Sequence, residues 1–109
     1  MISSDVIRGY TDTMVLYLLW HEDSYGYRIS KDIRLLSDDR YSLKETTLYS
    51  TFSRLERNGY ITAYSGDETH GKQRTYYRIT KEGRVYYTEK CREWALVQAV
   101  VKNFIMEEK

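Results

Sequence analysis

Between residues 42 and 80, one helical segment, a glycine stop and two β-prone runs follow one another without a break, and this order restricts the fold more than any other feature of the chain. Ser42-Leu43-Lys44-Glu45 has the form of a capping box, in which Ser and Glu each satisfy an otherwise unpaired backbone N–H, so a helix is expected to begin there. Leu48, Phe52 and Leu55 follow at i, i+4 and i+7 as its buried face, which leaves Thr46, Ser50, Ser53 and Arg57 opposite, flanked by Thr47 and Arg54. Gly59 is placed to stop the helix, because a left-handed residue costs least there. Residues 60–65 and 74–80 are rich in β-branched and aromatic types with strand-like alternation, and Gly66 and Gly71 bound the polar segment between them. A hairpin with a long tip is expected.

Two helices are expected upstream. Residues 5–21 place Ile7, Met14 and Leu18 on one face, while Val15, Leu16 and Leu19 make the second half apolar nearly all round, so it needs burial on more than one side. Residues 24–37 align Ile29, Ile33 and Leu36, with Ser24 available as N-cap and Arg28, Lys31, Asp32 and Arg34 on the outer face. Downstream, Thr80 can cap a long helix running to about Met106, along which Tyr87, Trp94 and Val101 repeat every seven residues with Val97 and Phe104 between and beyond them.

The sum is helix, helix, helix, hairpin, long helix: an α+β, mainly helical, winged helix-turn-helix with an added C-terminal helix. Residues 1–80 form the expected head and residues 81–109 the expected dimerisation helix, within one compact domain, since 109 residues are too few for two ordinary cores. The connection at residues 37–41 is longer than in the simplest helix-turn-helix.

In such a fold the third helix enters the major groove and a basic hairpin, the wing, touches neighbouring phosphates. A net charge of +1 argues against phosphate binding, but residues 70–78 read HGKQRTYYR and carry Lys72, Arg74 and Arg78 without an acid. The candidate DNA-contacting residues are therefore Lys44, Thr46, Thr47, Tyr49, Ser50 and Arg54 from the helix, and Lys72, Gln73 and Arg74 from the wing. The alternative for the wing is a solvated hairpin tip, and for the helix an ordinary polar face on which Tyr49 packs beside the core. Gly26 admits two readings, a packing glycine or a close approach of backbone to phosphate.

Other chemistry is thinly represented. The longest apolar run, residues 14–20, is far short of the ~20 residues a bilayer crossing needs, and no signal peptide is evident. Cys91 has no partner for a disulfide, His21 and His70 have no zinc spacing, and no nucleophilic triad or phosphate loop is present. The expectation is a cytoplasmic protein without metal or cofactor, and no enzyme. Cys91 as a redox sensor has only Lys90 and Arg92 beside it as support.

At these residues the chain resembles the PadR-like transcriptional regulators. The matching pieces are YGYRISKDI at 25–33, TLYSTFSRLERNGYI at 47–61, GKQRTYYRITKEG at 71–83 and a tryptophan in the last helix, Trp94; together they span nearly the whole chain. Many family members have proline after the TLY tyrosine, where this chain has Ser50, which makes it similar to the compact, multidrug-sensing repressors. The resemblance implies a homodimer built by the C-terminal helix through Tyr87, Trp94, Val97, Val101 and Phe104. Burial of such side chains at roughly 1.5–3 kcal/mol each, doubled by symmetry, can exceed an association cost of about 4–15 kcal/mol. A two-fold dimer would set its reading helices about one DNA turn, ~34 Å, apart on a pseudo-palindromic operator of double-stranded DNA.

For Trp94 two readings stand: plain interface core, or a platform for a ligand. The resemblance implies that paired tryptophans sandwich a planar hydrophobic small molecule at the dimer centre, with Val15, Leu18, Val97 and Gln98 lining the site. Cys91 and Gln98 stand where similar proteins have an aromatic and an acidic residue. A competing function is a winged-helix protein-interaction module that binds neither DNA nor small molecules, which the salt dependence of duplex binding would separate from a regulator.

Overall fold

A computed structural model describes residues 2–66 and 73–107. Its elements are α1 (Ser4–Ile7), a 3-10 turn (Arg8–Tyr10), α2 (Thr11–His21), β1 (Ser24–Tyr25), α3 (Gly26–Leu36), α4 (Glu45–Arg57), β2 (Ile61–Ser65), β3 (Thr75–Ile79) and α5 (Lys81–Lys102). The architecture is α+β and mainly helical, with one antiparallel sheet of order β1-β3-β2.

The centre is Phe52, sealed at 1% exposure and stacked on Tyr77 of β3 with ring centroids 4.0 Å apart. Around it α2 contributes Val15, Leu16 and Leu19, α3 contributes Ile29 and Ile33, and α4 contributes Leu48 and Leu55. The buried row of α2 thus includes neither Met14 nor Leu18, which flank it half-buried. Ile61 pairs with Ile79 across the β2–β3 ladder, and both close the core from the sheet side. Gly59 ends α4 at φ +80, the left-handed turn that its sequence position predicts. Thr80 caps α5, accepting from the Gly83 N–H at 3.0 Å, and donates its hydroxyl to the Gly59 carbonyl at 2.7 Å.

Several elements depart from expectation. The first helix is broken: a 3-10 turn at Arg8–Tyr10, containing the weak helix former Gly9, separates α1 from α2 and brings the Tyr10 ring edge-on to Trp94 at 4.8 Å. Ser24 does not cap α3. With Tyr25 it forms a short third strand against Tyr77 and Tyr76, and its buried hydroxyl finds no partner among the described residues. The capping box does not form either; α4 starts at Glu45 behind an extended Lys44 without a side-chain cap. The core explains this, because Tyr41 and Leu43 are both buried and Ser42 and Lys44 both exposed, an alternation that only extended backbone provides.

Leu36, expected on the buried row of α3, lies on the surface. The connection after it turns through two successive left-handed residues, Asp38 and Asp39, a conformation that Asp tolerates better than most side chains. At the other end α5 stops at Lys102 rather than near Met106. The chain tightens into i→i+3 hydrogen bonds, Phe104 N–H to the Val101 carbonyl and Ile105 N–H to that of Lys102, as helix ends do when nothing supports further turns.

Candidate nucleic-acid interface

The exposed arc of α4 carries Thr46, Tyr49, Ser50 and Ser53, with Thr47 half-buried beside them and Lys44 just ahead of the first turn. The hydroxyl of Ser50 donates to the Thr47 carbonyl at 3.0 Å, and that of the buried Thr51 to the same carbonyl at 2.8 Å. Short hydroxylic side chains therefore face outward from a helix whose opposite side is locked into the core by Leu48, Phe52 and Leu55.

Gly26 resolves as a packing glycine. A Cβ at that position would sit 2.8 Å from the Tyr49 hydroxyl oxygen, so glycine lets the start of α3 pass beneath this ring without displacing it. Tyr49 is about half exposed and stands edge-on to Phe52 at 5.7 Å, so its ring braces against the core while part of it faces solvent. Between it and the wing opens a cleft of about 350 Å³, bordered by Tyr25, Gly26, Tyr27, Tyr49, Gln73 and Arg74. The guanidinium of Arg74 lies 4.2 Å over the Tyr25 ring, which fixes its charge at the mouth of this cleft. Gln73 is exposed next to it. Lys72 lies outside the described residues.

The basic wing is thinner than its sequence reads. Arg78 donates to Asp23 at 3.1 Å, and the hydrogen bond to this carboxylate is the main cause that raises the guanidinium pKa above its ordinary value. Tyr64 donates to the same carboxylate. Arg78 therefore ties the sheet to the segment between α2 and β1 rather than adding to the positive charge near Arg74.

Arg54, expected among the DNA-contacting residues, is paired within the chain. Its Nη1 and Nη2 donate to Asp12 Oδ2 and Oδ1 at 2.6 Å each, a bidentate pair with an acid that is 7% exposed, and the Tyr86 hydroxyl completes the group at 3.0 Å from Oδ2. The hydrogen bond to Asp12 raises the Arg54 pKa despite partial burial. With both terminal nitrogens on Asp12, Arg54 braces α4 against α2. Sequence reasoning missed this cluster. The signal was present, since Asp12 precedes Leu16 and Leu19 at i+4 and i+7 on the buried row of its own helix.

The residues expected around a ligand are not gathered in one place. Val15 is sealed in the core at 0% exposure, so it cannot line an open site. Leu18 borders a cavity of about 320 Å³ with Met14, Tyr17, Ile33, Leu36 and Tyr87, and Trp94 is not among its walls. Tyr87, expected at a dimer interface, is half-buried and packs within the chain against Trp20 at 5.4 Å. Its pKa is pushed up to about 12, first by burial and then by the Cys91 thiol beside it. Trp94, Gln98 and Val101 lie exposed along α5 and Phe104 just past its end, and Val97 is half-buried among them.

Among the described residues no helix is long and apolar enough to cross a membrane, and no cluster of His, Cys, Asp or Glu could hold a metal ion.

Comparison with known proteins agrees with this geometry. The profile of the family described as "Transcriptional regulator PadR-like family" matches residues 15–89. A transcriptional regulator from Clostridium thermocellum is 60% identical, with a TM-score of 0.89 over 94% of this chain and 100% of that one. A PadR family transcription regulator from Clostridium difficile is 31% identical, with a TM-score of 0.74 over 87% of this chain and 97% of that one. An uncharacterized protein of Lysinibacillus sphaericus is 43% identical over 105 residues, 96% of either chain.

Proposed function

Because the chain belongs to the PadR-like transcriptional regulator family, which comprises DNA-binding regulators and not enzymes, we propose that it acts as a homodimeric repressor. In this reading α4 enters the major groove of a pseudo-palindromic operator. The observation that carries it is the shared cleft: Gln73 and Arg74 of the wing and Tyr49 of α4 border one opening, so a phosphate contact and a base contact can be made by neighbouring side chains. Lys44, Thr46, Thr47 and Ser50 extend the base-facing arc, and Lys72 would add a second wing charge.

The dimer reading is supported by α5, where Trp94, Val97, Val101 and Phe104 recur at helical spacing and are mostly exposed. A planar hydrophobic molecule between the two Trp94 rings would act as effector, bordered by Val97 and Gln98. It would lower DNA affinity only by binding better to the arrangement with misplaced reading helices.

A gel-shift titration against duplex DNA from upstream of the protein's own gene tests the first part. Saturable binding that falls with salt is expected, and Arg74→Ala should weaken it across sequences and reduce the salt slope by about 1. Absence of binding to any duplex would favour a protein-contact module instead. Tryptophan fluorescence with planar aromatic dyes tests the second part; if Trp94→Ala leaves dye binding and dye response intact, the effector site is not there.

A further inference from the structure

The cluster of the buried Asp12 with the half-buried Arg54 and Tyr86 joins three elements that play different parts. Asp12 belongs to the first turn of α2, Arg54 to the reading helix α4, and Tyr86 to the base of α5. A carboxylate so far from water requires compensation, and it receives two hydrogen bonds from Arg54 and one from Tyr86. Apolar side chains of similar volume would hold such a junction at least as well, because desolvating an ion pair offsets most of its attraction. What apolar packing does not provide is a fixed angle. The forked guanidinium–carboxylate pair accepts one relative orientation of α2 and α4, and the Tyr86 hydroxyl extends that constraint to α5.

Tyr86 is held from a second side. Its ring stacks on Tyr60 with centroids 4.2 Å apart and planes 10° from parallel. One turn earlier Gly83 lies against the Tyr60 backbone, where a Cβ would meet the carbonyl oxygen at 2.1 Å. The base of α5 is therefore clamped to the residue that follows the Gly59 stop of α4. Beyond this clamp the helix continues to Lys102 as an arm carrying the exposed Trp94, Val101 and neighbours. From Tyr86 to its end the arm is about 24 Å long at 1.5 Å per residue. A tilt of roughly 5° at the base would displace the tip by ~2 Å, a good part of the 3.4 Å rise per base along a DNA strand.

We propose that Asp12 and Tyr86 are positioning residues for operator recognition: with Arg54 they fix the angle between α4 and α5 and so set the half-site spacing that a dimer accepts. This rests on the dimeric, DNA-binding reading above. Neither residue needs to touch DNA, and their effect appears in which spacing is bound more than in how tightly a single half-site is held.

The test uses an operator selected by the full-length protein from a pool of random duplexes, together with versions lengthened or shortened by one base pair at the centre. Tyr86→Phe keeps the ring on Tyr60 and leaves the Asp12–Arg54 pair, so folding is preserved; Asp12→Asn is the stronger second variant. The wild type should discriminate against the altered spacings, and Tyr86→Phe should narrow that ratio by about three- to tenfold, the factor one net hydrogen bond carries. A loss of overall affinity or stability is not the readout. Wild-type discrimination that persists unchanged in both variants would overturn the positioning role while leaving DNA binding intact. Failure of the wild type to select any duplex would overturn the DNA-binding reading, and the proposal with it.

Discussion

Both ends of α5 carry large apolar side chains, and they use them in opposite ways. Near its start, Gly83 is buried, Tyr86 lies on Tyr60 and Tyr87 on Trp20, so both aromatic rings meet a partner in the same chain. Toward its end, Leu96, Val100 and Val101 are exposed, and Phe104 just past the helix is 81% exposed. The first stretch completes a core; the second presents a surface of the kind that marks an interface. Sequence periodicity runs through both without a seam, so the pattern alone does not reveal where intrachain packing gives way to a face left for something else.

That contrast makes opposite predictions for large apolar side chains in the two regions. Phe52→Ala removes the largest sealed side chain and its stack on Tyr77, and should cost about 3–5 kcal/mol in urea or thermal unfolding. The corresponding change on the arm should leave the fold alone. Val97→Asp combined with Val101→Asp would put unpaired charges into a dimer interface and weaken association by at least ~100-fold, since an uncompensated buried charge costs several kcal/mol. Light scattering at micromolar concentration should then report a monomer, with unchanged circular dichroism. A variant that stays dimeric would mean that the arm is not the interface, and the comparison between the two ends of α5 would lose its functional sense.

What the sequence revealed and what it hid divide along the same physical line. The buried face of α4, the Gly59 stop, the Thr80 cap and both wing strands, to within a residue at each end, depend on neighbours within a few positions, and all were legible. The break at Arg8–Tyr10, the two-residue β1 and the late start of α4 depend on partners far along the chain: Trp94 for Tyr10, β3 for Ser24 and Tyr25, and the core for Tyr41 and Leu43. The same holds at the candidate interface. Tyr49 and Arg74 stand where hydroxylic and basic patterning suggested, whereas Arg54 turns inward because an acid 42 positions earlier in the chain is buried beside it. Chemistry read from residue type identifies groups that can bind DNA; which of them are already occupied is settled by tertiary contacts.

The smallest expected effect separates the clamped base of the arm from its free end by titration. Burial, then the hydrogen bond to Asp12, pushes the Tyr86 phenol up to about 12 from an ordinary value of 10.0. The folded state thus favours the neutral phenol. The stability this contributes is fully present below pH 10 and is lost as pH rises toward 12, because the unfolded chain ionises first. Tyr87 shifts in the same direction, as do Tyr77 and Tyr64 of the sheet, so the difference between the wild type and Tyr86→Phe is what reports on the base of α5. The urea midpoint of the wild type should therefore fall between about pH 9 and pH 11, on either side of the ordinary phenol pKa, and Tyr86→Phe should fall less steeply, with Tyr87, Tyr77 and Tyr64 supplying the remainder. Equal slopes would mean that the hydroxyl of Tyr86 does not hold the arm to Asp12 in solution.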